Sequence, residues 1–84
     1  MTKREIEDKL KEFIVETFLF GQNSDFKSSD SLLKKGIIDS TGVIEFIAFI
    51  EQGFQVKVED EEILPENLDS IDHAAHYILG KQKK

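Results

Sequence analysis

The stretch Gly36-Ile37-Ile38-Asp39-Ser40-Thr41-Gly42-Val43-Ile44-Glu45-Phe46-Ile47 decides how this chain is read. A polar connection ends in Asp39-Ser40, and apolar residues then recur at helical spacing: Val43, Phe46, Ile47 and, one turn on, Ile50. The pattern predicts a helix over residues 40–52, with Asp39 or Ser40 as N-cap and Gly53 as its stop. The start of such a helix presents unpaired backbone N–H groups and a partial positive charge, which suits an attached phosphate.

Upstream, Ile6, Leu10, Phe13, Ile14 and Phe18 form one apolar stripe and predict a helix over residues 3–19. Thr2 followed by Glu5 reads as a capping box, and Gly21 as the stop. Residues 21–39 form a long connection rich in Ser, Asp, Asn and Gly. Loops of that length are often functional. Phe26, Leu32, Leu33, Ile37 and Ile38 are its candidate pins to the core, with a turn of helix expected around Asp30–Lys34.

Downstream, Phe54-Gln55-Val56-Lys57-Val58 alternates like a strand but has nothing to pair with, so it reads as an extended linker. Glu59–Ile63 predicts one helical turn, and Pro65 and Asn67 bar its simple continuation. A last helix, capped by Asp69 or Ser70, buries Ile71, Ala74, Ala75, Ile78 and Leu79 and ends at Gly80. Residues 81–84 read as a frayed tail. The expected fold is all-α, a small bundle of three main helices plus one short helix, with a long loop between the first two.

The 84 residues make one domain, residues 1–84, with a modest core. The absence of cysteine excludes disulfides, thiolate metal sites and a cysteine nucleophile. The charged start and the lack of a long apolar run predict no secretory signal, no membrane insertion and a cytoplasmic protein. A net charge of −6, from 17 acidic and 11 basic residues, disfavours nucleic acid as a partner. His73 and His76 read as surface histidines, not as metal ligands. Ser40 has no His-Asp pair beside it and no Gly-x-Ser-x-Gly elbow around it, which argues against a small hydrolase.

The Asp39-Ser40 motif, the residues after it and the layout of long loop, motif helix, acidic turn and final helix resemble the acyl carrier and peptidyl-type carrier proteins. The resemblance covers nearly the whole chain. It implies a 4′-phosphopantetheine arm on Ser40, with Asp39 assisting the phosphopantetheinyl transferase. It implies a monomeric shuttle, not an enzyme, that holds an acyl or aminoacyl thioester. Its partners would then be an activating ligase and synthase or transferase enzymes. The chain departs from the family pattern at Thr41, where Leu is usual, and at Gly42, where a polar or acidic residue is common. It departs also in Lys34, Lys35 and Gln52. These departures point to a dedicated standalone carrier, with polyketide, nonribosomal-peptide, aminoacyl-transfer or envelope pathways ahead of general fatty-acid synthesis.

Thr41, Ile44, Ala48 and Phe49 lie off the inward stripe of the motif helix and, with Glu45 and Glu51, form a candidate partner face. Between Val58 and Gly80 every charged side chain is acidic, and Glu59, Glu61 and Glu62 are the candidate docking acids for basic enzymes. Phe46, Phe49, Ile50, Phe54, Ile63 and Tyr77 are expected to fill the space beside the motif helix, so the cargo is expected to be short or polar and held outside. The competing class is a small acidic interaction module with no arm.

Overall fold

A computed structural model describes residues 2–19 and 27–82. Four helices form: α1 (Lys3–Phe18), α2 (Ser40–Phe54), α3 (Pro65–Leu68) and α4 (Ile71–Gln82), with a 3-10 turn at Asp60–Glu62. The all-α expectation holds among the described residues.

Local chemistry sets the start of α1. The Glu5 amide donates to Thr2 Oγ1 at 3.2 Å, and the Thr2 amide donates to Glu5 Oε1 at 2.9 Å. Such a box satisfies two orphan donors of the first turn. Ile6, Leu10 and Ile14 are wholly buried, and Phe13 and Phe18 pack against the core at its edge. The stop expected at Gly21 and the pin expected at Phe26 lie outside the described residues.

The connection before α2 is stitched down by its backbone. The Leu32 amide donates to the Asp69 carbonyl at 2.7 Å, and the Asp72 amide to the Ser28 carbonyl at 2.8 Å. The Asp69 carboxylate accepts from Ser31 Oγ and, at 3.1 Å, from the Leu33 amide. Leu32 is fully buried and Ile38 nearly so. The turn expected around Asp30–Lys34 is displaced to residues 32–36 and is not a regular helix. Ser31 explains the displacement: its Oγ accepts the Lys34 amide at 3.1 Å, and Gly36 closes the turn with φ +69°. That backbone conformation favours glycine.

Two expected stops are corrected. α2 runs through Gly53 to Phe54 and ends on Gln55, which takes the left-handed conformation at φ 56°. Phe54 is buried and meets the Phe49 ring edge-on at 6.0 Å, so packing holds the last turn that glycine alone would release. α4 likewise runs through Gly80 to Gln82. The tail therefore does not begin at residue 81; Lys83 and Lys84 lie outside the described residues.

After Gln55, residues 56–59 carry no regular secondary structure, in line with a linker. Pro65 opens α3 as its first residue, where its missing N–H costs nothing. Of the two candidate caps for α4, Ser70 serves: its Oγ accepts the His73 amide at 3.0 Å. α4 packs along α1 and α3. An ion pair of 2.7 Å between Lys3 and Asp72 joins the starts of α1 and α4. Phe46, Ile50, Leu68, Ile71, Ala74, Ala75 and Ile78 complete the core.

Candidate functional site

Asp39, not Ser40, caps α2. Asp39 Oδ1 accepts the Gly42 amide at 2.7 Å, and the Asp39 carbonyl accepts the Val43 amide at 3.0 Å. Ser40 is the first residue of the helix, is exposed, and keeps its hydroxyl out of the cap. The Thr41 amide has no intramolecular acceptor among the described residues, so a donor points out of the helix start beside Ser40.

The other described serines are placed differently. Ser70 is buried under its cap, and Ser31 donates to Asp69. Ser28 and Ser29 are exposed but sit in a turn. Ser24 lies outside the described residues.

Behind Ser40 the packing is tight. Gly42 is buried, and a Cβ there would stand 2.7 Å from Ile38 Cγ1 and 2.8 Å from Phe18 Cε1. Glycine inside a helix ordinarily loosens it by roughly 0.5–1 kcal/mol relative to alanine. The structure shows that the loop and the end of α1 close onto its bare backbone.

The candidate partner face is brought together in part. Thr41, Ile44, Glu45 and Ala48 follow helical spacing on one side of α2, and all four are exposed. Ile44 is 68% exposed, a large apolar side chain in water. Phe49 does not share that face. It turns back and stacks on Phe13 at 4.2 Å between ring centroids.

The acids divide in the same way. Glu51 accepts the Val58 amide at 3.0 Å, which ties the linker to α2. Glu62 accepts from Tyr77 Oη and Lys81 Nζ, each at 2.9 Å, and from the Glu59 amide at 3.0 Å. Lys81, the Glu59 amide and Tyr77 hold its carboxyl down at about 2. Glu51 and Glu62 are thus committed within the fold. Glu45, Glu59 and Glu61 remain exposed, Glu59 with Lys57 at 4.0 Å.

One apolar pocket of about 170 Å³ lies beside α2, lined by Leu33, Ile38, Val43, Ile63, Leu64, Pro65, Leu68 and Asp69. Val43 lies one turn from Ser40, so the pocket and the serine belong to the same end of α2. Phe46, Ile50 and Phe54 are in the core as expected, but Ile63 is 40% exposed on the pocket rim. Leu33 was expected as a core pin, yet it is 43% exposed there too. Leu64 was not anticipated. An apolar residue just before Pro65 was its only sequence signal.

His73 and His76 are exposed, and among the described residues no group of three or more acidic or histidine side chains is placed to hold a metal. No described helix is long and apolar enough to cross a membrane.

No protein-family model matches the chain. Among solved structures, it is similar to a chain from one described as "Crystal structure of FAD-dependent dehydrogenase". The two are 32% identical with a TM-score of 0.73, over 82% of this chain and 97% of that one. The matched chain is therefore shorter than this one.

Proposed function

We propose that this chain is a carrier domain whose Ser40 bears a 4′-phosphopantetheine arm. The observation that carries the reading is the exposed Ser40 hydroxyl at the first turn of α2, with Asp39 taking the cap. Among the described serines, this hydroxyl alone combines exposure with the start of a long helix. The donor end of the helix favours a phosphodiester there.

In the attachment, Ser40 Oγ forms the bond to phosphorus and the pyrophosphate bond of coenzyme A breaks. Adenosine 3′,5′-bisphosphate leaves, and a base of the transferase takes the hydroxyl proton. The arm supplies a thiol for thioester linkage. The chain's own part is to present the hydroxyl and a surface that partners read. The test is incubation of the apo protein with a promiscuous phosphopantetheinyl transferase and coenzyme A, followed by intact-mass measurement. A gain of one phosphopantetheine is expected. No gain would favour an armless interaction module.

The partners in this reading are the transferase, an acyl- or aminoacyl-activating ligase and the enzymes that process the cargo, in the cytoplasm. The solved neighbour suggests one enzyme class. The described residues of this chain contain no strand–helix–strand unit of the kind that binds dinucleotides. A flavin-dependent dehydrogenase is accordingly a partner to test, not an activity to assign here.

Docking would use Thr41, Ile44 and Ala48 flanked by Glu45, Glu59 and Glu61. Glu45→Lys combined with Glu61→Lys should slow association with a basic partner severalfold, and added salt should weaken wild-type binding. Stopped-flow association at two salt concentrations checks this. Rates indifferent to both changes would exclude electrostatic docking. Glu51 and Glu62 are poor sites for that experiment, because reversing them also breaks the fold's own contacts.

The cargo is short. A pocket of about 170 Å³ is close to the roughly 150 Å³ that accommodates benzene, and a longer chain would have to displace packed side chains. Holo protein loaded with acyl groups of increasing length should show amide shifts around Ser40 and the pocket rim. Shifts that progress to Phe46 and Phe49 as the chain lengthens, with rising thermal stability, would show deep sequestration instead.

A further inference from the structure

Residues 59–67 form a strap over the molecule that is weakly held for its length. None of the nine is buried. Its apolar anchors lie at its ends, Val58 and Leu68, both nearly buried. Its backbone hydrogen bonds are local: Glu62 to Glu59, Ile63 to Asp60, Leu64 to Glu62, Asn67 to Leu64. The Asn67 side-chain amide also donates locally, to the Glu62 carbonyl at 2.9 Å. A three-residue 3-10 turn and a four-residue helix have no stability of their own in water. Among the described residues, the hydrogen bonds from the strap to another part of the fold are those of the Glu62 carboxylate to Tyr77 Oη and Lys81 Nζ on α4. Tyr77 and Lys81 stand one helical turn apart, with the ammonium 5.8 Å from the Tyr77 ring centroid, so both grip the same carboxylate from one face.

The strap also makes one wall of the apolar pocket. Ile63, Leu64 and Pro65 face Leu33, Ile38 and Val43 across it. The opposite wall is tied to the rest of the fold: Ile38 is in the core, and the Leu33 amide donates to Asp69 Oδ1.

We propose that Glu62, clasped by Tyr77 and Lys81, is a latch that sets how far the strap closes over the pocket, so that releasing it opens the pocket from the strap side alone. Charge-assisted hydrogen bonds to a carboxylate are the stronger kind, and a single carboxylate here holds what no buried side chain of the strap does. The latch is independent of whether Ser40 is modified, and it is tested on the unmodified protein.

Native-state amide exchange of wild type, Glu62→Ala, Lys81→Met and Tyr77→Phe is the experiment. In Glu62→Ala the amides of Ile63, Leu64 and Asn67 should exchange on the order of tenfold faster, while Leu10, Ile14 and Ile50 keep wild-type rates. Lys81→Met should reproduce most of the effect and Tyr77→Phe part of it. Side-chain methyl signals of Leu33, Val43, Ile63 and Leu64 should shift together, and those of Ile6 and Leu10 should not. Equal acceleration across α1, α2 and the strap would mean a global loss of stability and would overturn the latch. So would unchanged strap exchange in Glu62→Ala and Lys81→Met.

Discussion

Ser40→Ala is expected to keep its fold and to take up no phosphopantetheine. The loss is all or none, because the proposed reaction needs the hydroxyl oxygen itself. The fold should hardly notice. A lost N-cap costs about 1 kcal/mol, but Asp39 supplies that bond and Ser40 makes none of the cap contacts. The exposed position also leaves no cavity when the hydroxyl goes. Intact mass after incubation with transferase and coenzyme A reads the modification, and circular dichroism reads the fold. Modification that persists in the variant, or maps to Ser24, Ser28, Ser29, Ser31 or Ser70, would remove Ser40 from its role. A variant that fails to fold is answered by Ser40→Thr, which keeps a hydroxyl and should keep its helix.

Gly42→Ala should destabilise the protein, against the usual direction for a helical glycine. Alanine is roughly 1 kcal/mol better than glycine inside a helix. Here the new methyl would stand 2.7 Å from Ile38 Cγ1, 2.8 Å from Phe18 Cε1 and 3.3 Å from Asp39 Oδ1. Phe18 is half-buried and its ring can swing. Ile38 is almost wholly buried, and its Cγ1 lies too near the backbone to yield freely. Overpacking of this kind costs typically 1–3 kcal/mol, so the clash outweighs the propensity gain. In a domain of this size each kcal/mol moves the midpoint by roughly 4–8 °C, and a fall of several degrees is expected by thermal melting. Gly42→Val should fall further. Asp39 is among the crowded atoms, so modification of Ser40 should slow as well. A melting temperature that is unchanged or raised would refute the packing account.

What could be read in the chain, and what could not, divides by range. α1 was legible because its cap and stripe are local: Thr2 with Glu5, then Ile6, Leu10 and Ile14. The inward side of α2 followed the same logic through Phe46 and Ile50. The ends did not. Gly53 and Gly80 carry the composition of stops, yet Phe54 beyond the first is buried in the core and Lys81 beyond the second is held by Glu62, a partner distant in sequence. The same limit hid the role of Gly42, whose neighbours include Phe18 from another helix. An acidic run is visible as a run. Which of its members face water is not, because Glu62 is spoken for by α4 and Glu51 by the Val58 amide. The motif marks Ser40 as the candidate site, but which of Asp39 and Ser40 caps α2 is settled only by the geometry of the turn, where Asp39 takes the Gly42 amide.

The aromatic inventory gives the latch an optical side. The chain contains one tyrosine and no tryptophan, so its intrinsic ultraviolet emission comes from Tyr77 and from no other phenol or indole. That phenol donates its proton to Glu62. Burial first, and the carboxylate next, push its ionisation upward. A phenol bound to a carboxylate emits differently from one bound to water, since the excited state releases its proton more readily to a nearby base. The protein thus carries a built-in, label-free reporter at the carboxylate clasp between the strap and α4. Release of the clasp, whatever brings it about, can be followed there by light alone.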